Sequence, residues 1–258
     1  MIQPRSYWPR TAAILIALSL SLSAHALDEE ALREALKDPS REVSDRIRDE
    51  ASKPVEVLTF FGVQQGMTVL DVYAAEGYFT YILSKAVGED GIVYAQTPRS
   101  SGGSQDGRAD MTQAQALDTK IATSKLSNVV RLQQSIHQLE IPPESLDFIL
   151  LSQIFHDYYN GSPARAQQLL HSLEGLLKPG GIIGVIDHAG DEGANNVRMH
   201  RIQEADALAA FREAGFIIEA QSELLRNPRD RHRRSIFDPS LNRNTDQFIF
   251  RAKKPPQE

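Results

Sequence analysis

The 258-residue chain contains no cysteine. Disulfide staples, zinc–cysteine centres and thiol nucleophiles are excluded with it. It has no apolar run of the ~20 residues that a membrane-spanning helix requires; the stretch Ala12 to Leu22 stops well short. Basic residues are in deficit, with 28 Lys and Arg against 34 Asp and Glu and a formal net charge of -6. So acidic a chain is a poor general binder of nucleic acid, whose phosphates need a basic face. Its single tryptophan, Trp8, lies near the start, and no internal repeat is visible. What is present is an ordinary globular balance, 41% hydrophobic and 24% charged. That balance excludes a disordered tail, a collagen-like repeat and a multi-span membrane protein. The length suits one large domain or two small ones.

The first 26 residues read as a signal peptide. Arg5 and Arg10 form a positive n-region, Ala12 to Leu22 an apolar h-region, and Ala24-His25-Ala26 a small-residue cleavage site. Cleavage removes two arginines and no acid, so the net charge moves from -6 to -8. The expectation is an exported, periplasmic protein beginning at Leu27, with no membrane span after cleavage. One local exception to the acidic balance is RNPRDRHRR, which crowds Arg226, Arg229, Arg231, Arg233 and Arg234 together. Two readings stand: a solvated loop, or an anion site built of guanidinium forks.

From Leu27 the pattern predicts two or three short helices. Asp28 caps the first, Asp38-Pro39-Ser40 interrupts, and Pro54 opens another that Gly62 ends. The period then changes to β-branched, apolar runs separated by helical stretches. Strands are expected at Thr68 to Tyr73, Ile92 to Gln96, Val129 to Gln133, Leu146 to Ser152, Ile182 to Asp187, Phe216 to Leu224 and Gln247 to Ala252. Helices are expected at Tyr78 to Val87 and about Met111 to Ser124. A third opens with Ser162-Pro163 and is stopped by Pro179-Gly180-Gly181, and a fourth carries Ala205, Leu208 and Phe211. The polar stretch Ser100 to Asp110 reads as a loop. Strands apolar on nearly every residue, alternating with helices, imply a doubly wound parallel α/β sheet covered on both faces. The last two strands, without a helix between them, imply an antiparallel edge hairpin.

These pieces together resemble the class I S-adenosylmethionine-dependent methyltransferases, over about Pro54 to Lys253. LLKPGGIIGVID (Leu176 to Asp187) is similar to that family's approach to its fifth strand, and FREAGFIIEA (Phe211 to Ala220) to the approach to its sixth. FHDYYN, VIDHAG, MHRI, LLRNPRD and TDQFIFRAKKP look like a small group of exported predicted methyltransferases. The resemblance implies a Rossmann-like, mostly parallel seven-stranded sheet with an antiparallel last strand. It divides the chain into a signal peptide at 1–26, a helical N-terminal extension at 27–53 and a methyltransferase-like domain at 54–258. It also implies S-adenosylmethionine as cofactor, bound where the first strand ends.

There the family pattern is an acid, one residue, then G-x-G-x-G, because glycines let the backbone approach the ligand. This chain has Asp71-Val72-Tyr73-Ala74-Ala75-Glu76-Gly77, keeping only the last glycine. Ala75 is a small change where φ is negative; the Tyr73 ring must fill the cofactor cleft or swing away from it. Gln96 stands where an acid normally receives the ribose hydroxyls, and Ser135 where one is expected beside the adenine. With Gln153 these residues make up the implied cofactor side: Asp71, Tyr73, Ala75, Glu76, Gly77, Gln96, Ser135 and Gln153.

Ligands in open α/β sheets bind beyond the carboxyl ends of the strands. That rule selects His156 and Asp157 after the fourth strand, Asp187 and His188 after the fifth, and His200 and Arg201 in the following loop. An imidazole beside a carboxylate is a general base near neutral pH. His156, Asp157, His188 and His200 are therefore the candidate catalytic residues. The competing reading is that His–Asp pairs cap strand ends. The spacing of His156, His188 and His200 matches no metal-ligand signature, and no metal is expected. Arg226, Asn227, Asp230, Thr245 and Asp246 either roof the cleft or form a turn network. Phe60, Phe61, Phe155 and Phe248 are expected in the core. The sequence-level expectation is a methyltransferase acting on an unidentified small molecule; the alternative is a non-catalytic protein of the same fold holding another small ligand or a metal. The acceptor and the oligomeric state are not legible.

Overall fold

The computed structural model describes residues 26–99 and 111–256; all but the last residue of the signal peptide expected at 1–26 and the polar stretch at 100–110 lie outside them. Three short helices come first: α1 (Glu29–Leu36), α2 (Val43–Ser52) and α3 (Pro54–Phe61). Asp28 caps α1 by accepting from the Ala31 N–H, and Gly62 ends α3 in the left-handed region. Strand and helix then alternate through β1 (Thr68–Val72), α4 (Tyr78–Val87), β2 (Ile92–Thr97), α5 (Gln113–Thr123), β3 (Val129–Gln133) and β4 (Leu146–Ser152). After β4 come α6 (Phe155–Gly161), α7 (Pro163–Glu174), β5 (Leu177–His188), α8 (Asn196–Met199), α9 (Glu204–Glu213), β6 (Ile217–Ser222) and β7 (Gln247–Lys253).

The seven strands form one sheet in the order β3-β2-β1-β4-β5-β7-β6. Strands β1 to β5 pair in parallel, and β7 runs antiparallel between β5 and β6. This is the expected doubly wound, Rossmann-like methyltransferase fold. Alternation along each strand divides the apolar residues between two faces. Leu70, Val72, Ile149, Leu151, Ile183, Val185, Phe248 and Phe250 face a core completed by Leu169, Leu170 and Leu173 of α7 and by Phe211 of α9. Val69, Val93, Phe148, Leu150, Ile186 and Ile249 face the other core, with Leu58 and Phe61 of α3 and Ile82 and Leu83 of α4. Phe61, Phe155 and Phe248 are buried as expected, and Phe60 is half-buried against the second core.

One local expectation is corrected, and one element was not foreseen. Pro179-Gly180-Gly181 does not stop the preceding helix, which ends at Glu174. It lies inside β5, where the ladder jumps from Leu146↔Leu177 to Phe148↔Ile182 and the extra residues bulge outward. The segment FHDYYNG, for which no element was expected, folds as α6, with Phe155, Tyr158 and Tyr159 packed on the α7-side core. Its start is fixed from outside: the buried Asp187 carboxylate accepts the His156 N–H at 2.8 Å, an anion at a helix N-terminus.

The three N-terminal helices are tied to the sheet domain by polar contacts. Tyr81 Oη donates to the Ala35 carbonyl at 2.9 Å, and Tyr78 Oη to Asp49 at 2.9 Å. Asp45 of α2 and Lys120 of α5 form a buried ion pair of 2.5 Å. Among the described residues no helix is long and apolar enough to cross a membrane.

Candidate active-site cleft

A cleft of about 800 Å³ opens at the carboxyl ends of β1 and β4. Its floor is the loop from Asp71 to Glu76, and Ser152, Gln153, His156, Asp157 and His188 line the neighbouring strand ends. Positive φ values occur at Tyr73 (56°), Ala75 (49°) and Gly77 (85°). These are the three positions at which the methyltransferase pattern carries glycine. The backbone therefore has the glycine loop's shape while two of its residues bear side chains, at a cost of about 1–2 kcal/mol each. Ala75 is consequently not the unstrained replacement that a negative φ would have allowed. The Tyr73 ring lines the cleft and packs against the α7-side core.

At Gly77 a Cβ would stand 2.6 Å from Leu117 Cδ1, so the loop and α5 approach too closely for a side chain. Asp71, at the end of β1, is buried and accepts from Thr80 Oγ1 at 2.7 Å. Burial raises its pKa to about 7, against the opposing hydrogen bond from Thr80.

Two implied cofactor contacts are not where the resemblance put them. Gln96 is fully buried, with Oε1 accepting the Tyr73 N–H at 2.9 Å and Nε2 donating to the Gln134 carbonyl at 2.8 Å. Its amide props the loop from behind and does not line the cleft. Ser135 likewise does not line it; its hydroxyl sits 3.4 Å from the His137 N–H. Gln153 does line it, held at φ 59° with its N–H donating to the Ile186 carbonyl at 2.7 Å.

The histidines meet: His156 keeps its neighbour Asp157 within reach and adds Asp187, while the His188 ring turns away from Asp187. Asp187 faces α6, and its Oδ1 lies 2.7 Å from His156 Nδ1. His188, one residue on, points to the opposite face, with Nδ1 2.7 Å from Thr245 Oγ1. Asp157 Oδ1 lies 3.3 Å from His156 Nε2 and 3.1 Å from His200 Nδ1. The His156 ring stands edge-on to both His188 and His200, at 5.7 and 5.8 Å between centroids. His200 does not line the cleft itself but sits at its rim, packed against Phe237 at 4.8 Å.

Burial works against a charge on His156, but Asp187 and Asp157 outweigh it and push its pKa up to about 10. Burial drives His188 the other way, down to about 3. In these charge states neither ring is the ready proton acceptor the sequence suggested. One already holds the proton, and the other binds it too weakly.

The roof comes from the β6–β7 connection, where it was sought, but mostly from other residues, and one wall comes from α2, which sequence reasoning left out of the site. Ile236, Phe237, Asp238, Pro239, Asn242 and Arg243 line the cleft from the long β6–β7 connection, and Thr245 alone of the five proposed roof residues joins them. The other four form the turn network. Asp246 accepts the Asn227 N–H at 2.7 Å, the Asp246 N–H reaches Asp230 at 2.8 Å, and Arg226 pairs with Glu204. The fully buried Arg201 serves the same network through Asp230, at 2.8 Å. Arg229, Arg231, Arg233 and Arg234 are exposed, as in a solvated loop. Asp45, Arg48 and Ser52 of α2 supply the wall, with the Arg48 guanidinium 4.1 Å over the Tyr78 ring. A basic residue on a helix carries no cofactor signature, so nothing in the sequence marked Arg48.

The strand order and the position of the cleft are those of the Rossmann-like methyltransferase fold. Residues 107–185 match the family model of a methyltransferase domain. No curated protein matches the chain. Among solved structures, it is similar to a SAM-dependent methyltransferase from Aquifex aeolicus, with a TM-score of 0.59 and 23% identity over 88% of this chain and 98% of the other. Geranyl diphosphate C-methyltransferase from Streptomyces coelicolor superposes with a TM-score of 0.59 at 13% identity, over 90% of each chain. The [4+2]-cyclase SpnF gives 0.60 at 19%, over 81% and 83%.

Proposed function

We propose that the chain is an S-adenosylmethionine-dependent methyltransferase acting on a small molecule, outside the cytoplasm after loss of residues 1–26. The observation that carries this reading is the backbone of Tyr73 to Gly77, which keeps a positive φ at all three glycine positions although glycine remains at only one. Strain of that kind persists where the surrounding structure demands the shape. The Ser152 hydroxyl supports the reading: it lines the cleft, buried and without a hydrogen-bond partner. A bound ligand would satisfy it.

The residues fit the cofactor unevenly. Tyr73 to Gly77, Ser152 and Gln153 would hold it along the loop, whereas Gln96 has no free group to offer the ribose hydroxyls. When bound, the cofactor supplies an electrophilic methyl group on a sulfonium. The protein's own contribution is alignment, which can lower a barrier by several kcal/mol, roughly 7–11 at best. Ile236, Phe237 and Pro239 give the roof an apolar surface that limits water. A cleft of about 800 Å³ lies within the small-ligand range of ~300–1,000 Å³, which favours a small acceptor over a polymer.

The loss of the ribose contact keeps a second reading in play, a protein of this fold that binds a different small ligand. Its neighbour SpnF is a cyclase, so the fold alone does not specify methyl transfer. Calorimetric titration with S-adenosylmethionine and S-adenosylhomocysteine separates the two. Binding tighter than about 100 μM supports the methyltransferase, and silence up to millimolar concentrations supports the other-ligand reading.

A further inference from the structure

We propose that His156, Asp157 and His200 form a divalent-metal site at the mouth of the cleft, with Asp187 as the outer partner that fixes His156. The three side chains offer ligand atoms that all lie within 4.8 Å of one another. Asp157 Oδ1 stands 3.3 Å from His156 Nε2 and 3.1 Å from His200 Nδ1. Ligand atoms about 2.0–2.2 Å from one ion, at angles between octahedral and tetrahedral, are about 3.0–3.5 Å apart. The carboxylate is thus already at metal-ligand spacing from both imidazoles.

The second observation lies behind the ligands. His156 presents Nε2 to the cluster, while Nδ1 is held 2.7 Å from Asp187 Oδ1. Asp187 is fully buried and fixed in turn by the N–H groups of His156, at 2.8 Å, and His188, at 2.7 Å. A buried carboxylate orienting a histidine whose other nitrogen faces a ligand cluster is the carboxylate–histidine–metal arrangement. His200 is placed by its own packing, edge-on to Phe237. Two imidazoles and one carboxylate suit zinc or ferrous iron, and three protein ligands leave positions open for water or substrate.

No metal was expected from the sequence, where the spacing of His156, His188 and His200 matches no ligand signature. His188 is replaced by Asp157, because the strand turns His188 toward Thr245. The arrangement competing with a metal is a proton on His156 Nε2 shared with Asp157, so metal uptake would release a proton.

The test is zinc titration of the purified, metal-stripped protein by calorimetry, in two buffers of different ionisation enthalpy and without S-adenosylmethionine. The outcome is then independent of the proposed function. The expected result is one equivalent of zinc bound at micromolar or lower concentration, with proton release. Asp157→Asn and His200→Ala, at half-exposed positions that do not threaten folding, should weaken binding at least tenfold. Asp187→Asn should weaken it about 10–100-fold, and His232→Ala, at a separate His–Asp contact, should leave it unchanged. No zinc binding below about 100 μM, or binding equally strong in Asp157→Asn and His200→Ala, overturns the proposal.

Discussion

The two halves of the cleft depart from the sequence in opposite ways. On the cofactor side the side chains have changed and the backbone has not: Tyr73 and Ala75 occupy glycine positions at φ 56° and 49°. On the histidine side the residue types are those the sequence displayed, but the partnerships have changed. The Asp187 carboxylate meets the His156 ring and not the ring of its neighbour His188, and Asp157 bridges His156 and His200. A loop's function can survive in dihedral angles that no residue list records. A cluster's function depends on which face of a strand each residue takes.

The largest expected effect falls on the histidine side. Asp187→Ala removes a buried acceptor of three hydrogen bonds and leaves the His156 charge without its closest partner. Stability should drop by about 3–5 kcal/mol in urea unfolding; a loss under 1 kcal/mol would mean that the Asp187–His156 pairing is wrong. The corresponding change behind the cofactor loop is Gln96→Asp, which by family pattern should restore a ribose contact. In this structure it buries a carboxylate that cannot donate to the Gln134 carbonyl, so it should cost about 2–4 kcal/mol and bring no gain in S-adenosylmethionine affinity. Tighter binding in a stable variant would show that position 96 does face the ligand.

Asp71 links the loop to pH. Its folded pKa of about 7 lies above the usual carboxylate value near 4. Between those values the folded state therefore binds more protons than the unfolded one. Stability is highest below pH 4 and falls as pH rises through 7, with a slope of up to about 1.4 kcal/mol per pH unit from this group. Asp71→Asn should remove that slope in thermal melts taken from pH 4 to 8, and an unchanged slope would place the carboxyl in water. The smallest effect is expected for Ala75→Gly. It relieves about 1–2 kcal/mol of left-handed strain and frees the unfolded chain by roughly 0.5–1. The net gain should be a few tenths to about 1 kcal/mol; a loss would contradict the positive φ.

The sheet was legible because its strands are apolar on nearly every residue and its helices are bounded by Asp28, Pro54, Gly88 and Ser162. The helix α6 was not, since its 7 residues are too few for the spacing of Phe155, Tyr158 and Tyr159 to stand out and its start is capped by a residue 31 positions away. In the cleft, the rule of carboxyl strand ends found His156, Asp157 and His188, and the family resemblance Asp71, Tyr73, Ala75, Glu76 and Gln153. Neither could show that both ends of the Gln96 amide are bonded to backbone, nor that His188 turns to Thr245. Arg48 and Phe237 reach the cleft from segments far from the strand ends, and no local pattern announces such contacts.

As proposed, the strained loop from Tyr73 to Gly77 cradles S-adenosylmethionine. Hydrogen-exchange mass spectrometry of the protein with and without saturating S-adenosylhomocysteine tests it most directly. Exchange should slow only in peptides covering Asp71 to Tyr81 and Ser152 to Asp157. Unchanged exchange in the first of these peptides, or protection appearing only elsewhere, would contradict it.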